Sequence, residues 1–133
     1  MEVFCPIELK LWAASSAPDT NFIVRLVDVW PNGFAQELCY GIVRTRYRES
    51  FVKPTFIETG RPYKNPVTVN PTANLFKFGH RIRRYVTSSD FPNFDRNHDT
   101  GGDDYHEARL VIAHQTIFHD RARQPRVVLP VSP

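Results

Sequence analysis

Strict period-two alternation is the feature that most constrains this chain. In IELKLWAA (residues 7–14), Ile7, Leu9, Leu11 and Ala13 fall on one face, and Glu8, Lys10 and Trp12 on the other. Successive side chains alternate across a strand, whereas a helix repeats about every 3.6 residues. The stretch predicts a strand with one buried face. FIVRLVDVW (residues 22–30) is apolar on both faces, as a central strand would be. PNG (residues 31–33) follows, and Asn-Gly accepts the positive φ of a tight turn. FAQELCYGIVRTRYR (residues 34–48) is therefore expected to run back as a long strand, with a bulge at Gly41.

The rest of the chain repeats this grammar. Residues 49–66 are a proline-punctuated connection, and PVTVNP (residues 66–71) is a short strand with Val67 and Val69 on one face. Residues 71–80 turn at Gly79. HRIRRYVTSS (residues 80–89) is a further strand whose inward set, Ile82 and Val86, is interrupted by Arg84. That arginine belongs either at a rim or beside a buried acid. ARLVIAHQTIFH (residues 108–119) reads as a strand with Leu110, Ile112 and Phe118 in phase. RVVLPV (residues 126–131) reads as an edge strand, because Pro130 cannot donate to a ladder. About seven strands, turn signals between them and no amphipathic helix predict an antiparallel sandwich.

A length of 133 residues favours one domain spanning residues 1–133. Eleven prolines against six glycines fit many rigid turns, and ten phenylalanines fit a sheet core. The formal charge of +3 is mild and does not by itself call for nucleic acid. Apolar runs fall far short of a membrane span, and no secretory leader pattern opens the chain. With only Cys5 and Cys39, the expectation is a cytoplasmic protein with reduced thiols.

Chemistry concentrates in SSDFPNFDRNHDTGGDD (residues 88–104), which holds five aspartates, a histidine and two adjacent glycines. Asp95, Asn97, Asp99 and Gly101 form D-x-N-x-D-x-G, and oxygen ligands two residues apart suit calcium. An EF-hand loop would need glycine where Thr100 stands and glutamate where His106 stands. The competing reading is a turn whose Asp and Asn side chains cap their own backbone. His80, His98, His106, His114 and His119 show no spacing that fixes a third zinc ligand. The chain lacks G-x-S-x-G, and Ser15, Ser16, Ser88 and Ser89 adjoin predicted turns. Cys39 lies inside a strand, as a core residue would. Arg44, Arg46 and Arg48 share one face, Arg81 and Arg83 another, and with Tyr47 and Tyr85 nearby they could meet single-stranded nucleic acid. The favoured reading is a solvated sheet face with ion pairs to Glu37, Glu49 or Asp28.

Four segments together resemble one family: residues 8–33, 41–50, 79–102 and 126–131, notably SS-x-x-DT, LVDVWPNG and FP-x-FDRN-x-x-TGG. They are similar to the C-terminal domain of the X-prolyl dipeptidyl-peptidase and cocaine esterase family of serine hydrolases. The resemblance implies an all-β, antiparallel jelly-roll sandwich of galactose-binding-like type. It implies a non-catalytic accessory role, with the nucleophile on a separate α/β-hydrolase domain, in cis or in trans. Ester or X-Pro peptide hydrolysis would be the parent reaction, and no cofactor or metal is implied. Asp95, Arg96, Asn97 and Gly101 would be structural loop residues, tied by hydrogen bonds and an Asp–Arg pair. The family sandwich begins before the residues matching Glu8, so its first strands are expected to be missing here. That leaves an open sheet edge and raises self-association through it. A free-standing carbohydrate- or ligand-binding module, with exposed Trp12 and Trp30, is the alternative.

Overall fold

The computed structural model describes residues 1–5 and 7–131, with the side chains of Phe4 and Cys5 outside that description. Among the described residues nine strands run antiparallel: β1 (Glu2–Cys5), β2 (Glu8–Ser15), β3 (Asn21–Val29), β4 (Ala35–Arg44), β5 (Tyr63–Thr68), β6 (Thr72–Leu75), β7 (Arg81–Thr87), β8 (Gln115–Ile117) and β9 (Arg126–Val128). A single 3-10 turn, Thr45–Tyr47, is the helical element among the described residues. No helix there is long and apolar enough to cross a membrane.

Two layers result, an all-β sandwich. In one, β2 is central, with β5 on one side and the short strands β8 and β9 on the other. The β1–β6 pair continues β2–β5, since Glu8 faces Thr68 and Cys5 faces Thr72. In the other layer β3 is central between β4 and β7. The alternation of β2 buries Leu9, Leu11 and Ala13, each 2% exposed, against Phe22, Val24 and Leu26 of β3. Strand β3 is buried along nearly its whole length, as its two apolar faces require.

The two layers meet at β4 and β5 and part at β7. Gly41 makes the meeting possible. A Cβ built there would lie 2.2 Å from the Thr68 carbonyl oxygen, so only glycine lets the backbones approach. The bulge expected at Gly41 lies instead at Leu38: Cys39 faces Leu26, Glu37 faces Val27, and Leu38 is the extra residue. The hairpin at residues 31–33 forms as expected, with the Gly33 amide donating to the Trp30 carbonyl at 2.9 Å and Gly33 at φ 89°. Cys39 is buried and free, and burial pushes its thiol up to about 11, suppressing nucleophilicity.

Several expectations are corrected. Strand β4 ends at Arg44, because Thr45 turns to bond the Thr20 backbone. Residues 108–114 are not strand. Leu110 is 59% and Ile112 86% exposed, and only Gln115–Ile117 pairs with β2. Strands β1 and β6 and the start of β5 at Tyr63 were not expected. Arg84 is half-buried and has no salt bridge among the described residues, so no buried acid answers it; burial lowers its pKa. Ile82, expected inside, is 42% exposed. Asp28, offered as a partner for an arginine, instead holds His80 Nδ1 at 2.9 Å.

Candidate functional site

Asp19 organises the polar centre of the molecule. The aspartate follows β2 in the turn before β3 and is fully buried. Its Oδ1 accepts from Thr45 Oγ1 at 2.9 Å and from the Arg46 amide at 2.8 Å. Its Oδ2 accepts from Arg46 Nε at 2.7 Å and from Asn97 Nδ2 at 2.7 Å. Four charge-assisted bonds and an arginine satisfy a carboxylate that burial would otherwise destabilise. One side chain thereby joins the 3-10 turn after β4 to the loop after β7.

That loop is the aspartate-rich segment. Asn97 also donates to Asn21 Oδ1 at 3.1 Å, and its own Oδ1 accepts the Asp99 amide at 2.9 Å. Asp104 contacts Arg44 at 2.6 Å and accepts the His98 amide at 3.2 Å. The Gly102 carbonyl accepts from both terminal nitrogens of Arg46 at 3.2 Å. Gly101 takes φ 78°, and a Cβ there would press on Phe56 at 3.3 Å. Asp90, at the loop entrance, pairs with Arg25.

The residues singled out from the sequence meet different fates. Asn97 and Gly101 stand inside the packed network. Asp95 accepts only from the Tyr105 hydroxyl at 3.2 Å, and Arg96 stacks over the Phe91 ring at 4.8 Å. Asp95 and Arg96 form no salt bridge among the described residues, and the acid–arginine pairs at this loop are Asp104–Arg44 and Asp19–Arg46. Asp95, Asn97 and Asp99 face different partners, and no group of three His, Cys, Asp or Glu is placed around one point among the described residues. Of the arginine ladder, Arg44, Arg46 and Arg48 are consumed internally, whereas Arg81 and Arg83 are exposed and Arg83 donates to the Tyr85 hydroxyl at 3.0 Å. Arg44 and Arg46 are paired as above, and Arg48 bonds the Thr45 and Thr55 carbonyls at 3.0 and 2.6 Å and meets Glu49 at 3.4 Å.

Among the described residues nothing assembles a nucleophile with a base. Ser15 Oγ accepts the Ala17 amide, Ser16 Oγ the His114 amide, and Ser50 Oγ the Val52 and Lys53 amides. Among the described residues no serine or cysteine side chain bonds a histidine ring; Ser132 and the Cys5 side chain lie outside them. The Ser15, Ser16 and Ser50 hydroxyls cap backbone instead.

Asp99 is the one strained acid. It sits at φ 61°, its Oδ1 is buried without a partner, and desolvation, with Asp19 and Asp104 nearby, holds its pKa above the usual carboxylate range. A raised folded pKa means the charged form is disfavoured in the fold, so stability falls as pH rises through that pKa. Asp99→Asn is expected to stabilise the chain by about 0.5–1 kcal/mol at neutral pH. The gain should vanish in acid, where Asp99 is protonated, as urea midpoints measured across pH would show. Asparagine tolerates the left-handed conformation equally well.

The described residues thus form an antiparallel β-sandwich whose polar centre is built for cohesion. Residues 1–129 match the model of the X-Pro dipeptidyl-peptidase C-terminal non-catalytic domain, and the chain belongs to that family. It is 50% identical over 102 residues to the cocaine esterase of Rhodococcus sp. (strain MB1 Bresler). That match takes in 77% of this chain but 18% of the esterase. An α-amino acid ester hydrolase has the same fold, with TM-score 0.91 and 29% identity over 98% of this chain and 24% of that one. An aminopeptidase from a marine sediment Thaumarchaeota archaeon gives TM-score 0.88 and 25% identity, again over 98% of this chain and 24% of its own. This chain therefore spans about a fifth to a quarter of the hydrolases it resembles.

Proposed function

We propose that residues 1–133 act as one accessory unit, packed against an α/β-hydrolase domain in cis or in trans, in the cytoplasm. The reaction served would be hydrolysis of an ester or an X-Pro amide, by a nucleophile outside these residues. Asp95, Arg96, Asn97 and Gly101 hold a structural loop in this reading and touch no substrate.

The open flank at β7 carries the proposal. Among the described residues strand β7 pairs only with β3, so its other edge leaves backbone donors and acceptors free of partners there. Its inner face presents Ile82 and Val86 on either side of Arg84. A cavity of about 170 Å³ opens there between Phe22, Val86 and Ile117. A partner segment with a carboxylate between two apolar residues would neutralise Arg84 and cover this flank. Self-association through the same edge is less favoured, because a two-fold pairing of β7 sets arginines against arginines.

The test is a chimera in which this chain replaces the matched stretch of the Rhodococcus esterase. Esterase turnover within about tenfold of the parent and a single cooperative unfolding transition are expected. Arg84→Asp should uncouple the two parts. An inactive chimera whose sandwich melts independently would overturn the proposal.

A further inference from the structure

The outer face of the β2 layer gathers cations that the polar centre does not use. Lys10 and Trp12 alternate with the buried Leu9, Leu11 and Ala13 and so stand on that face. Register sets Arg126 of β9 directly opposite Lys10, and Lys64 of β5 directly opposite Trp12. Opposed side chains have Cβ atoms about 4.5–5.5 Å apart, and diagonal neighbours lie about 7–8 Å apart. Lys10 thus meets one cation across and a second, Lys64, on the diagonal. The turn after β8 brings Arg121 and Gln124 over the same spot. These six side chains, with Ala122, wall a cleft of about 150 Å³.

The surroundings do not neutralise it. Glu8 lies 3.9 Å from Lys10, with its own side chain 69% exposed. Asp120, next to Arg121, is spent elsewhere: its Oδ1 accepts the amides of Ala122 and Arg123, and its Oδ2 accepts from Arg123 Nε at 2.7 Å. Arg123 in turn lies over the Phe118 ring at 4.2 Å, which holds the turn in place. Lys64, Arg121 and Arg126 have no salt bridge among the described residues. Like charges set opposite one another destabilise a sheet, and a bound anion reverses the sign of that interaction.

We propose that this cleft binds an organic phosphate or sulfate ester. The oxyanion is held by Lys10, Lys64, Arg121 and Arg126, with the arginine forks suited to two oxygens at once. The ring carrying the ester lies against the indole of Trp12, and Gln124 supplies a donor and an acceptor for ring hydroxyls. A cleft this small accepts one anionic group and part of its ring. Single-stranded nucleic acid needs a longer basic track with several stacking platforms. The site rests on sheet register and on the turn after β8, and it stands whether or not the domain docks on a hydrolase.

The experiment is an NMR titration of the isotope-labelled 133-residue chain with glucose 6-phosphate, glucose 6-sulfate, glucose, inorganic phosphate and a short oligothymidylate, each alone. Saturable shifts of the Trp12 indole and Gln124 amide are expected with a sugar ester at about millimolar concentration. Glucose should leave them unmoved, and inorganic phosphate should bind more weakly than the ester. Arg121→Gln and Arg126→Gln, both exposed, should each weaken the ester about tenfold. Their melting temperature at low salt should hold or rise, because repulsion is relieved. Three results would overturn the site: no saturation by either ester, equal response to glucose, or oligothymidylate binding while the esters fail.

Discussion

Asp19→Ala is expected to remove about 3–5 kcal/mol of stability, enough to leave a small domain largely unfolded at ambient temperature. The substitution deletes the acceptor for Thr45, for the Arg46 backbone and side chain, and for Asn97. The dominant loss is not the four bonds themselves. It is the guanidinium of Arg46, 11% exposed, left without its countercharge. Asp19→Asn keeps the shape and some of the acceptors, so it should cost less than alanine. Urea unfolding of both variants gives the order. Hydrogen exchange should show the 3-10 turn at Thr45–Tyr47 and the loop around Asn97 opening first. Equal, small costs for both variants would mean that the network is not cooperative.

Gly41→Ala has the second large effect, for a steric reason. The new methyl would stand 2.2 Å from the Thr68 oxygen and 2.9 Å from its carbonyl carbon, both backbone atoms. Alanine has no rotamer to escape with, so β4 must separate from β5 and the closed side of the sandwich opens. A cost above about 3 kcal/mol is expected. Gly33→Ala is the control. It meets nothing within 4 Å and suffers only from φ 89°, so it should cost about 1 kcal/mol. The difference in urea midpoint between the two separates crowding from backbone preference.

The layers were legible where burial writes a period into a single segment. Strands β2 and β3 carry their faces in their own residues, and the Asn32–Gly33 turn between β3 and β4 is equally local. The segment 108–114 misled because Leu110, Val111 and Ile112 look like strand. Its backbone instead reaches across to the loop, where the Val111 amide donates to the His98 carbonyl. Gly41 was correctly flagged but assigned the wrong cause, since its close neighbour is Thr68, 27 residues away. Asp19 is visible in the sequence only as turn composition and as the acid of the SS-x-x-DT motif, with nothing to show what it binds. Its partners stand 26, 27 and 78 residues downstream, and only a folded chain brings them together. Asn97 was found through family resemblance, while Asp104 and Arg44, which make the ion pair beside it, were not joined. The cationic cleft was invisible for the same reason. Its residues come from three strands and a turn, each unremarkable alone.

The measurement that tests the non-catalytic assignment most directly is labelling of the purified chain with a fluorophosphonate probe, read by intact mass. The side chains show serine hydroxyls capping backbone amides and Cys39 buried with a thiol pushed up to about 11. Unmodified mass after prolonged exposure is expected, with no hydrolysis of an aryl ester beyond the buffer rate. Stoichiometric labelling of one serine, abolished by unfolding the chain first, would contradict it.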